Sequence, residues 1–103
     1  MVIKWTNFAK QDLVDFYRNS SKTELNAKKY IYSVLEYVEK LGVAPLMGKF
    51  LFHVDDLEIR QLIYKQHRII YSANDNIIYV IAVVHTARNI EKYIEYLKEN
   101  VLK

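Results

Sequence analysis

Apolar residues change their spacing midway along this chain. Between Ala9 and Leu41 they recur at intervals of three and four, the period of a helix with one buried face. Beyond Lys49 they come in short runs separated by polar pairs, the pattern of strands and turns. Val2 to Trp5 suits a short first strand. Thr6 or Asn7 can then cap a helix whose inner stripe is Ala9, Leu13, Phe16 and Tyr17. Asn19-Ser20-Ser21 interrupts the stripe. Ser21-Lys22-Thr23-Glu24 has the form of a capping box, in which Ser and Glu side chains satisfy each other's backbone donors. The second helix is expected to run to about Leu41, with Ala27, Ile31, Val34, Leu35, Val38 and Leu41 facing inward. Gly42 stands where a left-handed C-terminal cap is wanted, and Pro45 blocks continuation. The short break predicts that these two helices form an antiparallel pair.

The second half predicts four strands: Phe50 to Val54, Leu57 to Tyr64, Arg68 to Ala73 and Ile77 to Val84. Asp55-Asp56, Lys65-Gln66-His67 and Asn74-Asp75-Asn76 are the turns between them. Tight turns imply an antiparallel meander. Ile77 to Val84 is apolar throughout, so it is expected to be the central strand, covered on both faces. Asn89 can cap a last helix with Ile90, Ile94, Leu97 and Val101 inward. Glu91 and Glu95 lie early in it and Lys98 and Lys103 late, an order that suits the helix dipole. The expected fold is α+β: two N-terminal helices packed on a small, mainly antiparallel sheet, with a C-terminal helix.

Composition narrows the picture modestly. A length of 103 residues predicts one domain. The absence of cysteine excludes disulfides and thiolate metal sites. No apolar run reaches the length of a membrane span, and Met1 to Trp5 lacks signal-peptide features. A cytoplasmic protein with no membrane partner is the expectation. A net charge of +3 favours an acidic partner without amounting to a nucleic-acid arm. The nine tyrosines fill the edge of a small core and suit recognition surfaces. There is no His-x-x-x-His pair, phosphate loop or serine elbow, so neither metal nor cofactor is expected.

Candidate chemistry lies between Leu57 and Arg88, where three strands carry Arg60, Arg68, His85 and Arg88. These cationic groups are expected to share one solvent-facing patch. His53 and His67 lie in or beside turns and have no partner at metal-ligand spacing. His85 could satisfy a backbone group at its strand end, and Arg60 could pair with a helix carboxylate.

The landmarks can also be taken in order. Trp5-Thr6-x-x-Ala9-x-x-Asp12-Leu13 opens the first helix, and Pro45-x-x-Gly48-Lys49 follows the second. Ile59-Arg60-Gln61-Leu62, His67-Arg68-Ile69-Ile70-Tyr71 and Val84-His85-x-x-Arg88 close the sheet. In this order and spacing the chain resembles the RelE/ParE superfamily of toxins from bacterial type II toxin–antitoxin systems. The resemblance covers nearly the whole chain. It implies a cognate antitoxin whose acidic or amphipathic segment orders on the toxin. Leu13, Phe16, Tyr17 and Tyr30 are the candidate antitoxin-binding residues. It also implies one of two activities: ribosome-dependent cleavage of mRNA, or ParE-like inhibition of DNA gyrase without chemistry.

Cleavage through a 2′-hydroxyl requires a base, an acid and cations to stabilise the charged intermediate. If the chain is a nuclease, His85 is the acid or base, and Arg68 and Arg88 hold phosphate oxygens. RelE-like nucleases carry a lysine pair on the preceding strand. The corresponding positions here are Ile59 and Gln61, or Arg60 if the register slips by one. The Ile-Arg-Gln-Leu and His-Arg-Ile-Ile-Tyr patterns look closer to ParE. In that reading Arg60, Lys65, Arg68, Arg88 and Tyr93 bind the target. The sequence therefore leans towards a gyrase inhibitor. A ribosome-dependent endoribonuclease is the alternative, and a degenerate relative that only binds antitoxin or DNA is a third.

Overall fold

A computed structural model describes residues 1–102. The elements in order are strand β1 (Val2–Trp5), helix α1 (Asn7–Asn19), helix α2 (Glu24–Val38) and a 3-10 turn (Glu39–Gly42). Strands β2 (Lys49–Val54), β3 (Leu57–Tyr64), β4 (His67–Asn74) and β5 (Ile77–His85) follow, then helix α3 (Ile90–Asn100). The sheet order is β1-β5-β4-β3-β2; β1 runs parallel to β5 and all other pairs are antiparallel. The α+β expectation holds. Lys103, placed late in the last helix by the sequence, lies outside the described residues.

Cross-strand partners share a sheet face, so the register assigns each side chain to a layer. Leu62, Ile69, Tyr71, Ile78, Val80 and Val83 pack with Ala9, Val34, Val38 and Leu41 of the N-terminal helical layer. Ile59, Ile70, Ala82 and Val84 pack with Tyr93 and Leu97 of α3. The sheet is thus sandwiched, with α1 and α2 on one face and α3 on the other. β5 is an interior strand with both faces largely covered, but β4 takes the middle place and Tyr79 is exposed.

Three local expectations are corrected. Thr23, not Ser21, caps α2, accepting from Asn26 N at 3.2 Å. Glu24 is therefore the first helical residue, and its carboxylate accepts from Tyr17 Oη at 2.8 Å instead of closing a box. Gly42 does not adopt a left-handed conformation. The helix tightens into the 3-10 turn, where Val43 N donates to Lys40 O at 3.1 Å. Gly42 matters for close approach: its carbonyl accepts from the Met1 ammonium at 3.0 Å, and a Cβ would stand 3.3 Å from Met1 O. His67 begins β4 instead of ending the turn, leaving Lys65-Gln66 as a two-residue connection. Asp75 and Asn76 both take positive φ, as a type I′ hairpin requires.

Thr6 joins two layers. Its Oγ1 accepts from Ala9 N at 3.1 Å, capping α1, and donates to Ile81 O at 3.0 Å. Its N–H donates to Val80 O at 3.0 Å. Ile81 is an extra residue in β5, because Ile70 pairs with Ala82 while Tyr71 pairs with Val80. The bulge leaves a carbonyl that Thr6 answers. Thr6→Ala loses both bonds and should lower stability by about 1–3 kcal/mol, read from the urea midpoint, while Thr6→Ser should restore most of it.

Candidate functional site

β1 stops pairing with β5 at Trp5–Val80, yet β5 continues to His85. The freed edge must find other partners. Asp12 supplies one, its Oδ2 accepting from Val83 N at 2.8 Å. This exchange of a strand for a helix opens a cleft of about 300 Å³. Its walls are Asp12, Leu13, Asp15 and Phe16 of α1, and Tyr30, Ile31 and Val34 of α2. His67, Val83, Val84 and His85 come from the sheet, with Arg88 and Tyr93 from the connection to α3 and its first turn.

His67 and His85 are cross-strand partners, with ring centroids 5.6 Å apart. His67 is only 6% exposed. Its Nδ1 lies 2.7 Å from Tyr30 Oη, and Phe16 meets the ring edge-on at 5.1 Å. Burial, reinforced by His85, holds the His67 pKa below the usual imidazole range. His85 is exposed, and its Nδ1 accepts from Ala87 N at 3.0 Å. Its Nε2 is left for a partner. Arg88 stacks on Tyr93, its guanidinium carbon 4.9 Å from the ring centroid. Tyr93 is 4% exposed, and burial followed by the Asp12 charge pushes its hydroxyl pKa upward. Asp12 is raised to about 6; burial is the largest cause, opposed by the Val83 N–H and Arg88 and assisted by Asp15.

The structure gathers His85, Arg88 and Tyr93 with Leu13, Phe16 and Tyr30. It does not gather the rest. Arg60 belongs to the α1–α2 face, opposite Tyr71. It donates to Gly48 O and to Glu58 Oε1, both at 2.8 Å, so its carboxylate partner comes from its own strand and not from a helix. Arg68 lies on the α3 face opposite Ile63 and donates to Gln61 Oε1 at 2.9 Å. The expected single cationic patch is therefore divided by the sheet. The alternation of β3 and β4 sends Arg60 and Arg68 to opposite sides, and both are half-buried. Lys65 sits on the exposed turn with Nζ 5.4 Å from the Tyr64 ring centroid. Tyr17 is outside the cleft, at the α1–α2 corner with Glu24.

Ile59 is fully buried and Gln61 nearly so, so neither of these two positions presents a side chain to solvent. Two cleft residues escaped the sequence reading. Asp12 signals itself only as an acid beside an inner stripe. The sequence places His67 in or beside a turn, whereas the two-residue connection puts it in phase with Ile69 and Tyr71. Among the described residues no group of three or more His, Cys, Asp or Glu side chains could hold a metal. No described helix is long and apolar enough to cross a membrane.

The structure is thus a small sandwiched sheet with an aromatic cleft, carrying Arg88, Asp12 and Asp15, at the end of its longest strand. Residues 3–90 match the family described as ParE toxin of type II toxin-antitoxin system, parDE, and the chain belongs to that family. A solved structure described as the chromosomal ParDE toxin–antitoxin system from P. aeruginosa shares the fold. Its TM-score is 0.66 at 20% identity, over 82% of this chain and 95% of that one. No curated protein matches the chain.

Proposed function

We propose that this protein is a growth-arresting toxin, neutralised by a cognate antitoxin, that acts in the cytoplasm by binding DNA gyrase and not by cutting mRNA. Family membership supports the system-level reading. One geometric observation carries the choice of target: Arg68 and His85, which an RNA-cleaving site would combine, occupy opposite faces of the sheet. Arg88 and exposed Lys65 remain as target-binding candidates, while Tyr93, buried beneath Arg88, serves to hold that guanidinium in place. The apolar wall of Leu13, Phe16 and Tyr30 next to Arg88 suits an amphipathic antitoxin segment, with Tyr17 at its rim.

Inducing the toxin without antitoxin tests this reading. Plasmid DNA should lose negative supercoiling, and purified toxin should inhibit gyrase in vitro, while mRNA ends stay unchanged. One observation favours the nuclease alternative, namely the paired imidazoles of His67 and His85 close to Arg88. That reading requires new ends inside codons within minutes of induction, abolished by His85→Ala. Growth unaffected by the free toxin would leave only the degenerate relative.

A further inference from the structure

The cleft is one end of a longer feature. Tyr37 and Tyr64 have ring centroids 4.6 Å apart, Tyr64 and Tyr30 are 6.3 Å apart, and Tyr30 and His67 are 5.4 Å apart. His67 then meets His85. The rings form an unbroken row from the C-terminal part of α2 to the end of β5. Three of them carry a lysine. Nζ of Lys40 lies 4.7 Å from the Tyr37 centroid, Lys65 5.4 Å from Tyr64 and Lys22 5.9 Å from Tyr30. These lysines come from three separate parts of the chain: the 3-10 turn, the β3–β4 connection and the α1–α2 connection. An ammonium at a ring face marks that face as reachable from solvent. Half-burial of each tyrosine fixes the ring without covering it.

We infer that this row binds single-stranded nucleic acid, with bases on the tyrosine faces and the lysines on phosphates. Flat rings in series with a cation beside each provide sequence-tolerant stacking together with backbone attraction. Tyr30 and Tyr37 are two helical turns apart, about 10 Å, which accommodates two or three unstacked nucleotides. A duplex keeps its base faces stacked and offers the row only phosphates. An acidic peptide would use the lysines and leave the rings idle. Glu36 lines the groove beside Tyr37 and Lys40 and weakens the local field, so the rings must contribute substantially. The inference does not depend on whether gyrase is the target.

Fluorescence anisotropy of labelled oligothymidine with the purified full chain tests it. Binding should be saturable at low salt, and a hairpin duplex should bind at least about tenfold more weakly. With three phosphates neutralised, log K against log salt should fall with a slope of about −2. Lys40→Gln and Lys65→Gln should each make that slope shallower by about 0.7. Tyr64→Leu should weaken binding about tenfold, and Tyr64→Phe should restore it. Tyr32→Leu changes an exposed tyrosine of α2 that is off the row, and should leave binding unaltered. If Tyr64→Leu unfolds by circular dichroism, the lysine slopes still decide. Equal duplex binding, salt slopes unmoved by the lysine variants, or equal competition by polyglutamate would each overturn the inference.

Discussion

Gly48→Ala should lower the melting temperature by roughly 15–30 °C, a far larger effect than Gly42→Ala. A Cβ at Gly48 would stand 2.6 Å from Gln61 O and from Tyr71 Oη, and 2.7 Å from Tyr71 Cε1. Neither neighbour can retreat. Gln61 O belongs to β3, between two strands, and Tyr71 is fully buried on β4. The Tyr71 hydroxyl accepts from Gly48 N at 2.8 Å and donates to Pro45 O at 2.9 Å. Burial accordingly raises its pKa above the usual phenol range. Arg60 closes the same knot by donating to Gly48 O. Displacing the loop would break up to three bonds in a half-buried or buried setting. Overpacking and lost hydrogen bonds together give about 3–5 kcal/mol, much of the stability of a small domain. Tyr71→Phe removes the hydroxyl without the clash and should cost about 1–3 kcal/mol. A calorimetric scan is sufficient. A Gly48→Ala midpoint within a few degrees of the parent would show that the loop can give way.

That knot also shows what the sequence could and could not disclose. Periodicity located every helix and strand to within a few residues, because the helices keep one face in water while the inner strands, covered on both faces, show as apolar runs bounded by polar turns. Asn89 identifies itself as a cap by residue type and position, and the first cap is narrowed to Thr6 or Asn7, of which the structure uses Thr6. The fold family was legible in the order of short motifs, none of them decisive alone. What stayed hidden depends on contacts between distant segments. Gly48 is conspicuous as a glycine, but nothing in its neighbourhood announces Tyr71, which is remote in sequence and adjacent in space. The parity of β3 and β4 was readable in principle. Arg60 is in phase with Leu62 and Tyr64, and Arg68 with Ile70, yet only the pairing of Arg60 with Tyr71 shows that these phases face opposite ways. The turn length after Tyr64 decided the fate of His67. A three-residue turn would have left it in solvent, whereas two residues place it under Phe16 and Tyr30.

Asp12→Asn should stabilise the protein at neutral pH, while Asp12→Ala should change stability little there and destabilise the protein in acid. The carboxylate performs a task that needs no charge, since an amide oxygen can equally accept from Val83 N. Its charge is costly. With the folded pKa raised from 3.8 to about 6, the folded state binds the Asp12 proton more tightly than the unfolded chain does. The stabilisation from that proton is complete below pH 3.8 and is lost as pH rises through 6. The loss is on the order of 1–3 kcal/mol, after allowance for the part of the carboxylate that water still reaches. Asp12→Asn should recover that amount at pH 7 and nothing near pH 3. Asp12→Ala also removes the charge but leaves the Val83 N–H without a partner, so its cost of about 1–3 kcal/mol shows in full near pH 3 and is largely offset at pH 7. His67 runs in the opposite direction. Its folded pKa is lowered, so its contribution is present above the unfolded imidazole pKa and is lost as pH falls through the folded value. In the parent these two slopes oppose each other from the lowered His67 pKa up to about pH 6; in Asp12→Asn the His67 slope should stand out as a steeper acid-side decline. Urea unfolding at a series of pH values separates the cases. An Asp12→Asn profile parallel to the parent would mean that the carboxylate is not held at a raised pKa. Toxicity adds a second readout, because Asp12 is also a neighbour of Arg88. If the guanidinium needs that carboxylate to stay over Tyr93, Asp12→Asn should be more stable and less toxic, a combination that a purely structural role of Asp12 does not produce.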